Sequence, residues 1–265
     1  MLEDRIAANP LWYHAIEVAP GVVTPGWFDL RPVVDRLPWP DVAGKRCLDV
    51  GTYDGFLAFE LERRGASEVV ATDIGGHEQW DWPEELRARG PTYLAELAGP
   101  KGAGFEIAHE ALGSRVEKVT ASVYDLAPER VGTFDVVVCG SLLLHLRDPV
   151  GALGAIHSVC TGYLLSAEQI DLALTTLMPR LPLARVGPGE RLHWWVPNAA
   201  GHERMVEAAG FRVKRRSGVY CVPFGPGHPA VARTPRNAVR AAAQRGLCGG
   251  TTGVPHRALL GTATD

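Results

Sequence analysis

Between residues 45 and 215 the chain alternates short apolar runs with stretches whose apolar positions recur every three or four residues. The runs Arg46–Val50, Glu68–Asp73, Val116–Ser122, Phe134–Cys139, Tyr163–Ala167 and Phe211–Arg215 are predicted strands. Most are nearly continuously apolar, as strands covered on both faces must be. The stretches between them predict helices at Gly55–Arg64, Pro83–Ala98, Phe105–Leu112, Pro149–Val159 and Asn198–Ala209, with Asn198 as an N-cap and Gly210 closing the last. Strand and helix in regular alternation predict an α/β fold: a doubly wound, mostly parallel sheet of about seven strands.

The flanks break this rhythm. Residues 1–44 are rich in Trp and Pro with little periodicity and are expected to form a cover over a core of residues 45–223. A second interruption, residues 170–197, carries His193, Trp194 and Trp195 and is expected on the substrate side. Residues 224–265 turn Gly/Pro-rich and then Ala/Arg-rich, which reads as a loosely held basic tail with one exposed helix. No internal repeat is visible.

Composition narrows the class. Apolar residues make up 46% and charged ones 22%, which excludes disorder as the main state. The longest apolar stretch, Phe134 to Leu146, is too short to span a bilayer and the first residues lack the apolar core of a secretory signal, so a soluble, cytoplasmic protein is expected. Five scattered cysteines without a CxxC pair argue against a disulfide framework and a zinc site; no histidine and carboxylate cluster has metal-ligand spacing either. The net charge of −3 is uneven: residues 1–210 carry 18 basic against 29 acidic side chains, residues 211–265 carry 9 against one. The acidic body disfavours extended contact with a polyanion, and the basic end keeps it open.

The chemistry concentrates where the first predicted strand turns into a helix, Asp49-Val50-Gly51-Thr52-Tyr53-Asp54-Gly55. The next strand closes on Asp73, about 20 residues on, placed to bind both hydroxyls of a ribose. A dinucleotide site needs G-x-G-x-x-G so that the helix N-terminus can hold a pyrophosphate. Here an acid two positions before the first glycine would repel that group and suits an ammonium instead, which favours S-adenosylmethionine. Asp49, Gly51, Thr52, Tyr53, Gly55 and Asp73 are the candidate cofactor residues.

With these residues, the chain from about Lys45 to Arg215 resembles the class I S-adenosylmethionine-dependent methyltransferases. Their acidic-x-Gly-x-Gly-x-Gly pattern is kept except at the middle position, Tyr53. The resemblance implies a Rossmann-like methyltransferase fold and S-adenosyl-L-methionine as cofactor. It also implies that Tyr124 and Asp125, in Ser122-Val123-Tyr124-Asp125, lie at the adenine. Ser141, ending Phe134-Asp135-Val136-Val137-Val138-Cys139-Gly140-Ser141, then lies at the methionine and sulfonium. A narrower likeness, through Gly140 to Pro149, Trp194 to Asn198 and Ala209-Gly210-Phe211, is to the enzymes that modify 5-hydroxyuridine at the tRNA wobble position.

His145, after the fourth strand, and His14, beside aromatics in the cover, are candidate bases for an acceptor hydroxyl; each could instead serve packing. Glu168, ending the fifth strand, is a third candidate base or a solvated strand-end carboxylate. Tyr13, Trp27, Arg31, Trp194, Trp195 and Asn198 form the candidate acceptor-side set. Adjacent tryptophans in extended chain point to opposite faces, so at most one of Trp194 and Trp195 should face a ligand.

The expected activity is methyl transfer to a small-molecule acceptor, such as a specialised metabolite. tRNA is the alternative acceptor, and a further one is non-methylating use of the same cofactor, by aminocarboxypropyl transfer or cyclisation. A non-enzymatic cofactor-binding scaffold is the remaining class.

Overall fold

The computed structural model describes residues 1–88, 101–187, 193–232 and 234–264. Its centre is one twisted sheet assembled from β3 (Arg46–Val50), β4 (Glu68–Asp73), β5 (Glu117–Thr120), β6 (Phe134–Gly140), β7 (Cys160–Gln169), β10 (Phe211–Arg216) and β12 (Val254–Ala263). They lie in the order β10–β12–β7–β6–β3–β4–β5, with β11 (Tyr220–Val222) also paired to β12. The four neighbouring pairs from β7 to β5 are parallel, whereas β12 runs antiparallel to both β7 and β10. The expected seven-stranded, mostly parallel α/β sheet is therefore present.

Each predicted strand forms, β3 and β4 with the predicted ends and the others with ends shifted. The edge strand β5 is shorter than expected, while β7 starts earlier because α6 (Pro149–Val159) runs into it without a loop. The antiparallel strand is the correction. Residues 254–263, expected in a loose tail, form a strand in the sheet interior, with Ala258, Leu259 and Leu260 at most 1% exposed. Pro255, Arg257 and Gly261 interrupt its apolar pattern.

Helices cover both faces. On one face lie α2 (Phe56–Arg63), α4 (Ala103–Leu112) and, packed on α4, α1 (Leu2–Ala8). Their apolar sides meet Cys47, Val69, Val136, Val138, Leu165 and Leu260 of the sheet. On the other face, α6 and α8 (Ala199–Ala208) meet Leu48, Val137, Leu164 and Leu259. The alternation of neighbouring residues such as Cys47 and Leu48 between the two clusters is the period of two of a strand buried on both sides.

Asn198 caps α8 and Gly210, at φ +93°, follows it, as the pattern predicts. Short elements escaped it: α5 (Pro128–Val131), α7 (Leu172–Leu177), the hairpin β1 (Glu17–Ala19) with β2 (Val22–Val23), and β8 (Ala184–Val186) paired with β9 (Trp195–Pro197). The helix expected at Pro83–Ala98 is seen as α3 (Glu84–Arg87), and its part beyond residue 88 lies outside the described residues. The tail also holds α9 (Pro235–Leu247), which buries Gln244. Among the described residues no helix is long and apolar enough to cross a membrane.

The first 44 residues lie on the α2/α4 face. Ile16, Val18, Val33, Val34 and Leu37 join the core there, and Trp12 is buried with its indole N–H donated to Ile6 O. From that base Tyr13 and His14 reach the carboxyl edge of the sheet.

Candidate active site

The carboxyl ends of β3 and β4 carry the first part of the site. Asp49 is buried in the penultimate position of β3, and its Oδ2 has no hydrogen-bond partner. Burial lifts its pKa to about 7. Three residues on, Thr52 is buried; its hydroxyl makes no hydrogen bond of good geometry, though it lies close enough to the Asp49 carboxyl to oppose that rise. Buried polar atoms are rarely left unpaired, so two of them in one turn mark a place made for a polar ligand.

The turn owes its shape to left-handed residues. Gly51 has φ +75°, and a Cβ there would press on Leu142 at 3.1 Å. Gly55 has φ +93°, and its Cβ would lie 2.5 Å from the Phe59 ring. Tyr53, where the family pattern has glycine, nevertheless takes φ +50°. A non-glycine there is strained by about 1–2 kcal/mol. Three contacts hold it: its N–H donates to Asp73 Oδ2 at 2.9 Å, its ring packs 5.3 Å from Tyr13, and the Lys101 ammonium sits 4.5 Å over its face.

Asp73 ends β4 beside this turn. It accepts the N–H of Tyr53 and of Ile74 (2.8 Å), and pairs with Lys101, which is itself almost fully buried. Asp49, Thr52, Tyr53 and Asp73, taken from two adjacent strand ends, are thus brought together.

Asp54, not singled out by the sequence reading, joins the cover to this turn. Its Oδ2 accepts the main-chain N–H of Tyr13 and of His14 at 2.5 and 2.9 Å. Burial lifts its pKa to about 7, opposed by those two bonds. His14 Nδ1 lies 3.9 Å from the same carboxylate without bonding it, and burial drives the His14 pKa down to about 3. His14 is therefore a neutral imidazole packed between Tyr13 and Phe56. Tyr13 also packs on Phe28, 5.0 Å between ring centres.

The loop after β6 forms the opposite wall. Ser141 takes φ +51° and its Oγ lies 2.9 Å from His256 Nε2. His145 follows in a short turn, half-buried, with its ring 5.4 Å from that of His193. Glu168 is not a solvated strand-end carboxylate. It is 1% exposed behind this loop, where Oε1 and Oε2 accept the N–H of Leu142 and Leu143 at 3.3 and 3.2 Å. Burial raises its pKa to about 8, so at neutral pH it is largely protonated and holds the loop that carries Ser141 and His145.

Asp81 and the tryptophans brace the far side. Tyr124 donates its phenol to Asp81 Oδ2 at 2.6 Å, and Arg147 N–H donates to the same oxygen at 2.8 Å. Trp194 Nε1 donates to Asp81 O and Trp195 Nε1 to Arg147 O, so both indoles are engaged in tying the 170–197 interruption to this loop. Asp125 is more than half exposed and lies 3.6 Å from Arg130, turned to solvent.

Other acceptor-side candidates play structural parts. Asn198 is fully buried: Oδ1 accepts from Gly201 N and Leu183 N, and Nδ2 donates to Met178 O and Leu181 O. Its amide has nothing left for a substrate, which corrects the expectation. Arg31 closes a two-bond pair on Asp29, two residues away. Trp27 lies at the surface edge of the cover, 6.2 Å from His228. Among the described residues no three His, Cys, Asp or Glu side chains gather as a metal would require.

Residues 29–215 match the family described as a methyltransferase domain. The chain belongs to the methyltransferase-domain family. S-adenosylmethionine is that family's methyl donor, and the paired acidic strand ends and glycine turn suit it. The chain is 33% identical over 162 residues to the ubiquinone biosynthesis O-methyltransferase of Xanthomonas oryzae pv. oryzae (strain PXO99A), covering 61% of this chain and 56% of that protein. To the enzyme of the same name from Acinetobacter baylyi it is 30% identical over 129 residues, 47% and 44%. It spans about half the length of these relatives. The Burkholderia thailandensis 1,6-didemethyltoxoflavin-N1-methyltransferase, solved with its substrate and S-adenosylhomocysteine, shares the fold. Its TM-score is 0.51 at 14% identity, over 84% of this chain and 72% of that one.

Sequence reasoning missed four residues of the candidate site: Asp54, Asp81, Lys101 and His256. Asp54 stood inside the motif and could have been read as an anchor. Asp81, Lys101 and His256 carry no local signal and are recruited only by the tertiary fold.

Proposed function

We propose that this methyltransferase moves a methyl group from S-adenosylmethionine to a hydroxyl of a small organic molecule. The observation that carries the cofactor half is the unpartnered Asp49 Oδ2 and Thr52 Oγ1, buried beside the carboxylate of Asp73. Asp73 would take the ribose hydroxyls, displacing Lys101, and Asp49 with Thr52 would take the amino end of the methionine part. When bound, the cofactor supplies an electrophilic methyl on a sulfonium whose departure leaves a neutral thioether.

The chain's own task is then alignment and exclusion of water, effects worth about 7–11 kcal/mol in favourable cases. Tyr13, His14 and Tyr53 close one side and the Ser141–His145 loop the other. Glu168 fixes that loop from behind rather than meeting the acceptor. His14, neutral and pressed against rings, serves the closure; His145 remains the candidate base for an acceptor hydroxyl, a contribution of about 10²–10⁴-fold.

The hydroxyl as acceptor is supported by the O-methyltransferase relatives, and a small acceptor by the acidic body. The tRNA reading rests on the narrower motif likeness. Of the basic cluster it would use, Arg216 pairs with Glu203 and Arg215 donates to Trp39 O. The test is incubation with methyl-labelled S-adenosylmethionine, a panel of catechols and phenols, and a tRNA fraction. Label in a phenol and release of S-adenosylhomocysteine support the proposal. Label in tRNA overturns the acceptor class, and methylthioadenosine as product overturns methyl transfer.

A further inference from the structure

We propose that Ser141 and His256 form a hydrogen-bond pair of fixed direction that makes the acceptor site receive a proton-bearing group, so that it selects a neutral hydroxyl over a carboxylate. The inference rests on the methyltransferase reading above and deepens it.

The direction follows from what each atom can do. The carbonyl of Val254 can only accept, so His256 Nδ1, 2.8 Å away, carries a hydrogen and donates it. His256 is 5% exposed, and burial lowers its pKa to about 4, so it is a neutral ring and Nε2 holds a lone pair. Ser141 Oγ lies 2.9 Å from that lone pair and must donate its single hydrogen to it. What the hydroxyl offers on its open side is lone pairs alone.

The position gives this polarity a use. Ser141 directly follows β6 at the carboxyl edge of the sheet, where ligands of open α/β sheets bind. It is flanked by Leu142, whose side chain underlies Gly51 of the cofactor turn. Among the described residues only Tyr53 and Ser141 combine a side chain with a left-handed backbone, one in each wall of the site. Such strain persists where the surroundings over-determine it, and it clusters at functional positions. His256 itself is held by stacking on Tyr220, its antiparallel neighbour in β11, 5.9 Å between ring centres. Ser141 would touch the acceptor; His256 is a positioning residue that acts through it.

A phenol or alcohol approaching Ser141 can donate to those lone pairs. A carboxylate has no hydrogen to give and would leave two sets of lone pairs facing each other, a mismatch of at least about tenfold in affinity.

The test uses the full chain labelled with ¹⁵N at histidine, with and without S-adenosylhomocysteine, and phenol and benzoate as probes. His256 is expected as the Nδ1–H form, with Nε2 moving on phenol addition and not on benzoate addition. An Nε2–H ring overturns the pair whether or not the homocysteine product binds, because that spectrum needs no ligand. Equal response to both probes, or to neither, overturns the selection. Failure of S-adenosylhomocysteine to bind overturns the methyltransferase reading alone. His256→Phe keeps a buried ring and frees the Ser141 hydrogen; the phenol preference is expected to fall from at least about tenfold to below about threefold. Ser141→Ala should lose it as well, so that one misfolded variant does not decide the matter.

Discussion

The main-chain N–H of Tyr53 donates to Asp73 Oδ2 at 2.9 Å, joining the turn after β3 to the end of β4. One carboxylate therefore shapes this turn and, in the proposed function, would also take the ribose hydroxyls. Asp73→Ala removes both functions and leaves Lys101 unpaired. Because hydrogen bonds to charged groups are worth about 1.5–3 kcal/mol each, binding of S-adenosylhomocysteine should weaken by at least about tenfold by calorimetry. Unchanged affinity would place the cofactor elsewhere.

Three buried carboxyls make stability depend on pH. Asp49 and Asp54 are raised to about 7 and Glu168 to about 8, all above their unfolded values, so the native state binds the extra protons. Their effect is that stability falls as pH rises through those values. The buried His14, His202 and His256, lowered to about 3, 3 and 4, act oppositely, mainly below pH 6.5. Between pH 7 and pH 8 the carboxyls dominate, and the protein should lose on the order of 1 kcal/mol. Glu168→Gln should remove most of that slope in denaturant titrations; an unchanged slope refutes a protonated Glu168.

Asn198→Ala should destabilise the fold by about 2–4 kcal/mol, combining loss of a helix cap with buried groups left unpaired. A substrate-contacting asparagine would instead change the Michaelis constant and leave the denaturation midpoint alone. Chemical denaturation beside acceptor kinetics distinguishes the two.

Asp54→Ala strips the acceptor from two amides at Tyr13 and His14. The cover should then open locally, exposing residues 9–16 to protease at least about fivefold faster, with global melting less affected. Equal cleavage rates would mean that the hydrophobic contacts of Trp12 and Ile16 suffice.

The sheet was largely legible because strands buried on both faces must be apolar throughout, as Val136 to Cys139 are. The cofactor turn was legible because its chemistry lies within seven consecutive residues. What escaped was non-local. Strand β12 looked like tail because Pro255, Arg257 and Gly261 break its apolar run, so no strand pattern shows in the sequence. Asn198 looked like part of a ligand motif because three of its four bonds reach back 15 to 20 residues. Glu168 read as a candidate base or a solvated carboxylate because nothing in sequence says that the loop after β6 folds over it.

The interior position of β12 sets an order on synthesis. The ribosome makes residues 254–263 after every other strand of the sheet, yet they lie between β7 and β10, and β10 has no partner in the sheet until they arrive. A nascent chain can consolidate the β3-to-β7 half around the cofactor turn early, while the half that holds His256 closes last. Any event that stalls translation before residue 254 thus leaves a protein with its cofactor residues made but without His256, the partner that orients Ser141.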